Sequence, residues 1–250
     1  MTGLQHFAWT VLPYVAIATL AVGLFWRYKY DKFGWTTRSS QIYESRLLRL
    51  GSPLFHVGIL LALGGHVVGL VVPESWTSAL GVSEHLYHLT AVTLGSVAAV
   101  MVVSGLTILV YRRRTVGRVF QVTTTMDKTM YVVLGAVVLL GAWNTLGVNL
   151  LDLPGGYPDG YNYRETLAVW FRGIFVLDPQ AALMTDAPVS FQLHVLAAMV
   201  LFMLWPFTRL VHVLSAPIGY LSRPYVVYRS RGEHVTGSRD PSRGWEPMRR

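Results

Sequence analysis

An all-α integral membrane protein with five transmembrane helices is the fold class this sequence predicts, and three observations predict it. Of 250 residues, 52% are hydrophobic and only 14% are charged, whereas about a quarter of a soluble domain's residues are charged. Uncharged apolar runs recur at roughly 7–26, 51–72, 86–111, 129–151 and 187–214, each long enough to cross a hydrocarbon layer about 30 Å thick. In lipid the backbone must satisfy its own hydrogen bonds, so such runs fold as helices. The 21 Lys and Arg residues are also strongly partitioned. Nineteen fall in the segments 27–50 and 112–128 and from Arg209 onward, and two, Arg164 and Arg172, fall on the opposite side. Basic residues stay on the cytoplasmic side of a membrane. The N-terminus is therefore expected outside and the C-terminus in the cytoplasm, in a multi-pass protein of the cell (cytoplasmic) membrane.

Residues 1–6 carry no Lys or Arg and no small-residue cleavage site follows the first apolar run, so the first span reads as a retained helix, not a cleaved leader. The second is expected to open at Ser52 as cap and Pro53 in the first turn, where a missing N–H costs nothing. The outward loop 152–186 starts rich in Pro, Gly and Tyr. Within it, Leu167, Trp170, Phe171, Ile174 and Phe175 recur near helical spacing, predicting a short amphipathic helix over 163–176 lying at the membrane interface. Pro206 should kink the fifth span. Residues 1–230 read as one transmembrane domain, and 231–250 as a polar, turn-rich cytoplasmic tail.

The composition also excludes several functions. The chain has no cysteine, so disulfides and thiolate-held metal or iron–sulfur centres are ruled out. The net charge of +8 follows from membrane orientation and contact with anionic lipid, so nucleic acid is not an expected partner. A proton-conducting transporter would want carboxylates inside its spans, and here they stand only at the ends, as Asp127 and Asp186.

Four histidines lie within the spans: His56 and His66 on the second, His194 and His212 on the fifth. An ionisable ring at membrane depth is costly and points to function. The two helices run antiparallel, so His56 pairs with His212 near the inner face and His66 with His194 near the outer face. Each pair can grip one haem iron from both sides. The ten residues from His56 to His66 rise about 15 Å and the eighteen from His194 to His212 about 27 Å, a mismatch for tilt and the Pro206 kink to absorb. Gly58, Gly65 and Gly69, with Gly64 beside them, leave room for a flat macrocycle or for close helix packing. Arg112 and Arg209, at inner helix ends, are candidates to meet the inner haem's propionates.

Several stretches resemble the gamma subunit, a cytochrome b, of membrane-bound respiratory nitrate reductase. They are Trp26-Arg27-Tyr28-Lys29-Tyr30, Thr37-Arg38-Ser39-Ser40-Gln41, Leu54-Phe55-His56-Val57-Gly58, Gly65-His66-Val67-Val68-Gly69, Thr123-Thr124-Thr125-Met126-Asp127, Leu193-His194 and Trp205-Pro206-Phe207-Thr208-Arg209-Leu210-Val211-His212. The likeness covers roughly residues 8–230. It implies two haem b, with His56 and His212 ligating the inner iron and His66 and His194 the outer. It also implies menaquinol or ubiquinol as electron donor near the outer haem, and, on the cytoplasmic side, an iron–sulfur beta subunit leading to a molybdenum-cofactor alpha subunit that reduces nitrate. A similar two-haem anchor of a sulfur or heterodisulfide complex is the alternative. The family's quinol site uses a lysine at the start of the third span, where this chain has Glu84-His85-Leu86-Tyr87-His88. His85 and His88, with His66, are the expected replacements, since imidazole titrates near neutrality. The segments Arg27–Leu50 and Gly219–Tyr228 are expected to meet the iron–sulfur subunit.

Overall fold

The structure is a computed structural model that describes residues 1–31, 34–35, 39–153, 155, 157 and 159–215. Lys32, Thr37, Arg38, the stretch Gly219–Tyr228 and the tail 231–250 lie outside the described residues. No strand occurs among the described residues. Five helices are long and apolar enough to cross a membrane: α1 (Gly3–Tyr30), α2 (Arg46–Val71), α4 (Glu84–Thr115), α6 (Thr125–Leu150) and α9 (Val189–Phe207). Shorter pieces join them: α3 (Glu74–Ala79), α5 (Gly117–Gln121), α7 (Leu167–Phe175), α8 (Ala182–Thr185) and the 3₁₀ segment α10 (Arg209–Ser215).

The helix starts follow from local chemistry. Thr2 and Gln5 form a reciprocal capping box on α1, and Thr124 and Asp127 form another on α6, each satisfying two N–H groups that the first turn leaves unpaired. The Ser83 hydroxyl accepts from the Leu86 N–H and caps α4. Pro13 has no N–H to give the carbonyl of Trp9 four residues back, and the helix widens into a π turn over Phe7–Val11 just ahead of it. The indole N–H of Trp170 donates to that Trp9 carbonyl instead, at 2.8 Å.

Three expectations are corrected. First, α2 begins at Arg46, not at Ser52, so Pro53 stands inside the helix. The Glu44 carboxylate accepts the Leu47 N–H and starts the helix earlier. Second, the fifth span breaks where a kink was expected. The α-helix ends at Leu204, a 3₁₀ turn covers Trp205–Phe207, and Thr208 is extended (φ −113°, ψ 177°) before α10 begins. His194 and His212 therefore do not share one helix, and a five-turn rise is not what separates them. Third, the helix at Leu167–Phe175 does not lie free on the interface. Leu167, Trp170 and Ile174 are buried in a cluster with Trp9, Val148 and Met184, because the Trp170 indole seeks the carbonyl that Pro13 leaves unpaired. Arg172 in turn donates to the Leu70 carbonyl at the end of α2, at 3.0 Å.

The spans pack as a series of neighbours, α2 on α4, α4 on α6, α6 on α9 and α9 on α1. The α2–α4 contact is the closest, and glycines allow it. A Cβ on Gly105 would stand 2.5 Å from the backbone N of Phe55, and one on Gly58 would stand 2.9 Å from the backbone N of Val102. Small residues let helix backbones approach in lipid, where no hydrophobic force drives helices together.

Candidate cofactor site

Inside this series the histidines of α2 face those of α9 and α10. The ring centres of His56 and His212 are 6.2 Å apart with planes at 65°, and those of His66 and His194 are 6.1 Å apart with planes at 28°. An imidazole nitrogen binds a transition metal at about 2.0–2.1 Å, and the ring centre lies about 1.1 Å behind it. Two rings gripping one ion from opposite sides therefore stand roughly 6.2–6.4 Å apart. Both pairs match that spacing.

The remaining ring nitrogens are committed. Nδ1 of His56 donates to the Ser52 carbonyl at 2.7 Å, and Nδ1 of His66 to the Ala62 carbonyl at 2.7 Å. Nδ1 of His194 donates to the Val137 carbonyl at 3.0 Å, and Nδ1 of His212 to the Arg209 carbonyl at 2.6 Å. A carbonyl can only accept, so each Nδ1 carries the hydrogen and each Nε2 keeps its lone pair for a ligand. No group of three or more His, Asp or Glu able to hold a metal occurs among the described residues. Paired, opposed imidazoles suit an ion whose other positions a macrocycle fills, as in a haem with two axial ligands.

The glycines divide between two roles. Gly64 and Gly65 have no heavy atom within 4 Å of where a Cβ would stand, which leaves a face of α2 clear beside His66. Of the two roles expected for Gly58 and Gly69, room for a macrocycle or close packing, the structure shows packing: Gly58 receives α4, and the Tyr163 phenol sits on Gly69, 2.8 Å from the Cβ position. Sequence reasoning missed Gly141 on α6, where a Cβ would stand 2.9 Å from Cε1 of His194. It missed Val137 as well, whose contribution is a main-chain oxygen that no side-chain pattern signals.

Arg112 and Arg209 also have employment in the structure. Arg112 is fully buried and donates from Nε to the Glu44 carboxylate and from its other nitrogens to the Ser40 hydroxyl and to the carbonyls of Ser40 and Glu44. It pins the 40–44 loop to the end of α4. Burial works against the Glu44 charge, yet the Leu47 N–H and Arg112 hold its carboxyl below the ordinary range. Arg209 grips both oxygens of Asp127, at 2.8 and 3.0 Å. Its carbonyl is the one that orients His212, so the Asp127 pair steadies that histidine by way of α10. At the start of α4, His85 is exposed. The His88 ring lies against Gly160 (φ +78°) on the outward loop.

A family model described as "Nitrate reductase gamma subunit" matches residues 5–231. The chain belongs to this family. Within it, the chain is 40% identical to the "Nitrate reductase gamma chain" of Bacillus subtilis over 89% of its own length and 97% of that protein's. It is 32% identical to the "Respiratory nitrate reductase 2 gamma chain" of Escherichia coli, over 91% of this chain and 98% of the relative. It is also 57% identical to the "Nitrate reductase-like protein NarX" of Mycobacterium tuberculosis over 95% of its length. It spans only about a third, 35%, of that longer relative.

Proposed function

We propose that this chain is the quinol-oxidising, two-haem cytochrome b subunit of a respiratory nitrate reductase complex. The observation that carries this reading is the two opposed histidine pairs, each at the spacing of axial ligands with Nδ1 already committed. His66 and His194 hold the outer haem b, and His56 and His212 the inner one. When bound, haem supplies a one-electron carrier at each of two depths in the membrane. The chain's own residues do the rest. The four carbonyls fix the ring tautomers, Gly65 keeps a face of α2 clear, and Gly141 gives the His194 ring its place.

On the outer side, a quinol (menaquinol or ubiquinol) gives up its protons near His66, with His85 or His88 at the start of α4 as the acceptor at one end of its ring. On the inner side, the 40–44 loop that Arg112 holds offers a fixed cytoplasmic surface to an iron–sulfur subunit. Beyond that stands the molybdenum subunit that reduces nitrate. Taking electrons inward while protons are shed outward builds membrane potential with no proton channel through the chain, in accord with spans that hold carboxylates only at their ends.

The purified complex is expected to show reduced-minus-oxidised b-type spectra, with two haems per chain by pyridine haemochrome. It should oxidise quinol at the expense of nitrate, and replacing His85 and His88 together should slow that reaction with haem content intact. A well-folded, haem-supplied preparation that remains colourless refutes the reading.

Gly141→Val tests the outer pair without touching a ligand. The added side chain must enter the space of the His194 ring, which its bond to Val137 prevents from backing away. One of two haems should be lost, and retention of both would show that the ring has another resting place.

A further inference from the structure

A quinol loses one proton from each of two hydroxyls at opposite ends of its ring, so a histidine acceptor at one end leaves the other to be provided for. Lysine cannot provide it, since the chain's three lysines, Lys29, Lys32 and Lys128, all fall in inner segments. The structure offers phenols instead. The Tyr163 side chain lies on Gly69, one turn beyond His66 on α2. Its hydroxyl is 3.2 Å from that of Tyr87 on α4.

The surroundings of this pair are built. The Arg164 guanidinium stands 3.8 Å over the Tyr87 ring, bonds Glu84 at 3.1 Å and bonds the Thr77 hydroxyl at 2.8 Å. Its side chain is 2% exposed, and its Nε has no hydrogen-bond partner among the described residues. Glu84 is one turn back on α4 from Tyr87, and its side chain is 45% exposed, open to solvent. The hydrogen-bonded phenols thus begin beside the α2 segment that carries His66, and Arg164 joins the Tyr87 ring to an exposed carboxylate.

We propose that Tyr163 and Tyr87 form a proton-exit pair for the quinol: Tyr163 hydrogen-bonds one quinol hydroxyl and relays its proton by way of Tyr87 to the outer surface at Glu84. This rests on the quinol-oxidising reading above. In the relay the quinol O–H breaks as its proton bonds to Tyr163 Oη. The proton already on Tyr163 moves to Tyr87 Oη, and the one on Tyr87 moves to the Glu84 carboxylate or to water. Both phenols end neutral, and rotation of their hydroxyls resets the pair. The quinol's two electrons leave separately for the one-electron carriers that the histidine pairs are suited to hold. Burial, with the Tyr87 hydrogen bond next, pushes the Tyr163 phenol well above the usual tyrosine range. It therefore stays protonated, able to donate and accept at once.

The test uses the intact complex, with a short-chain naphthoquinol and a short-chain benzoquinol as donors and nitrate as acceptor. Tyr87→Phe keeps the ring under Arg164 and the Tyr163 contact with quinol, so kcat should fall by about tenfold or more with KM within about twofold. Tyr163→Phe should lower kcat similarly and also raise KM, and both variants should keep full haem content. Turnover within about twofold of the unaltered complex in both variants overturns the relay. So does loss of bound haem in both, which would make the pair a structural tie. If only one variant loses haem, the other decides. The unaltered complex is assayed first, and its failure to oxidise either quinol would overturn the functional reading itself and the relay with it.

Discussion

His194→Ala is expected to leave the purified complex with one haem per chain and no quinol oxidation. The His194 ring faces His66 at 6.1 Å, and its removal takes away that partner. His56 and His212 form their own pair, the latter beyond the break at Thr208, and should keep the inner haem. Nitrate reduction driven by an artificial dye at the partner subunits should survive, because that route bypasses this chain. Pyridine haemochrome and a dye-linked assay on the same preparation distinguish these outcomes. Two haems remaining in His194→Ala would mean that the histidines are paired differently.

Gly105→Leu should have the largest effect on stability. Its Cβ would stand 2.5 Å from the Phe55 N and 2.7 Å from the Phe55 Cα. Overfilling a packed core ordinarily costs about 1–3 kcal/mol, because side chains shift to make space. Here the obstacle is main chain, so α2 and α4 must part along their closest contact and the cost should exceed that range. Phe55 precedes His56, so the inner pair should open at the same time. The measurements are thermal unfolding in detergent and haem content, with Gly135→Leu as control, since no heavy atom lies within 4 Å of a Cβ at Gly135. Equal unfolding temperatures for Gly105→Leu and the control would deny that the helices touch there.

Much of the fold was legible in the sequence because lipid imposes one rule on every span. Apolar length locates the first four spans to within about five residues at each end and overruns the end of the fifth, and intramembrane histidines stand out against apolar neighbours. What escaped was set by groups that composition does not register. The helix start moved from Ser52 to Arg46 through a carboxylate, Glu44, that lies outside the apolar run. Pro206 announced a bend, but the extended Thr208 that separates the segments carrying His194 and His212 has no signature of its own. Residues 167–175 read as a surface helix because Trp170 looks like any interfacial tryptophan, until the carbonyl of Trp9, deprived of its donor by Pro13, is seen to need one. Gly58, Gly69 and Gly141 are alike in sequence, yet one meets a helix, one a phenol and one an imidazole. Only the three-dimensional arrangement separates such roles.

The shortest hydrogen bond from each of the four paired imidazoles goes to a main-chain carbonyl, and at His56 the Ser52 hydroxyl stands beside that carbonyl at 3.3 Å. Ala62 and Val137 can therefore drift to other residue types and still present the same oxygen, provided the local chain path is kept, whereas Ser52 also brings its hydroxyl and Arg209 its grip on Asp127. Many metalloproteins hold a ligand histidine with a carboxylate, which one codon change can erase. In this chain the main-chain part of that orientation follows the path of the helices, and a shift in helix geometry is what would disturb it.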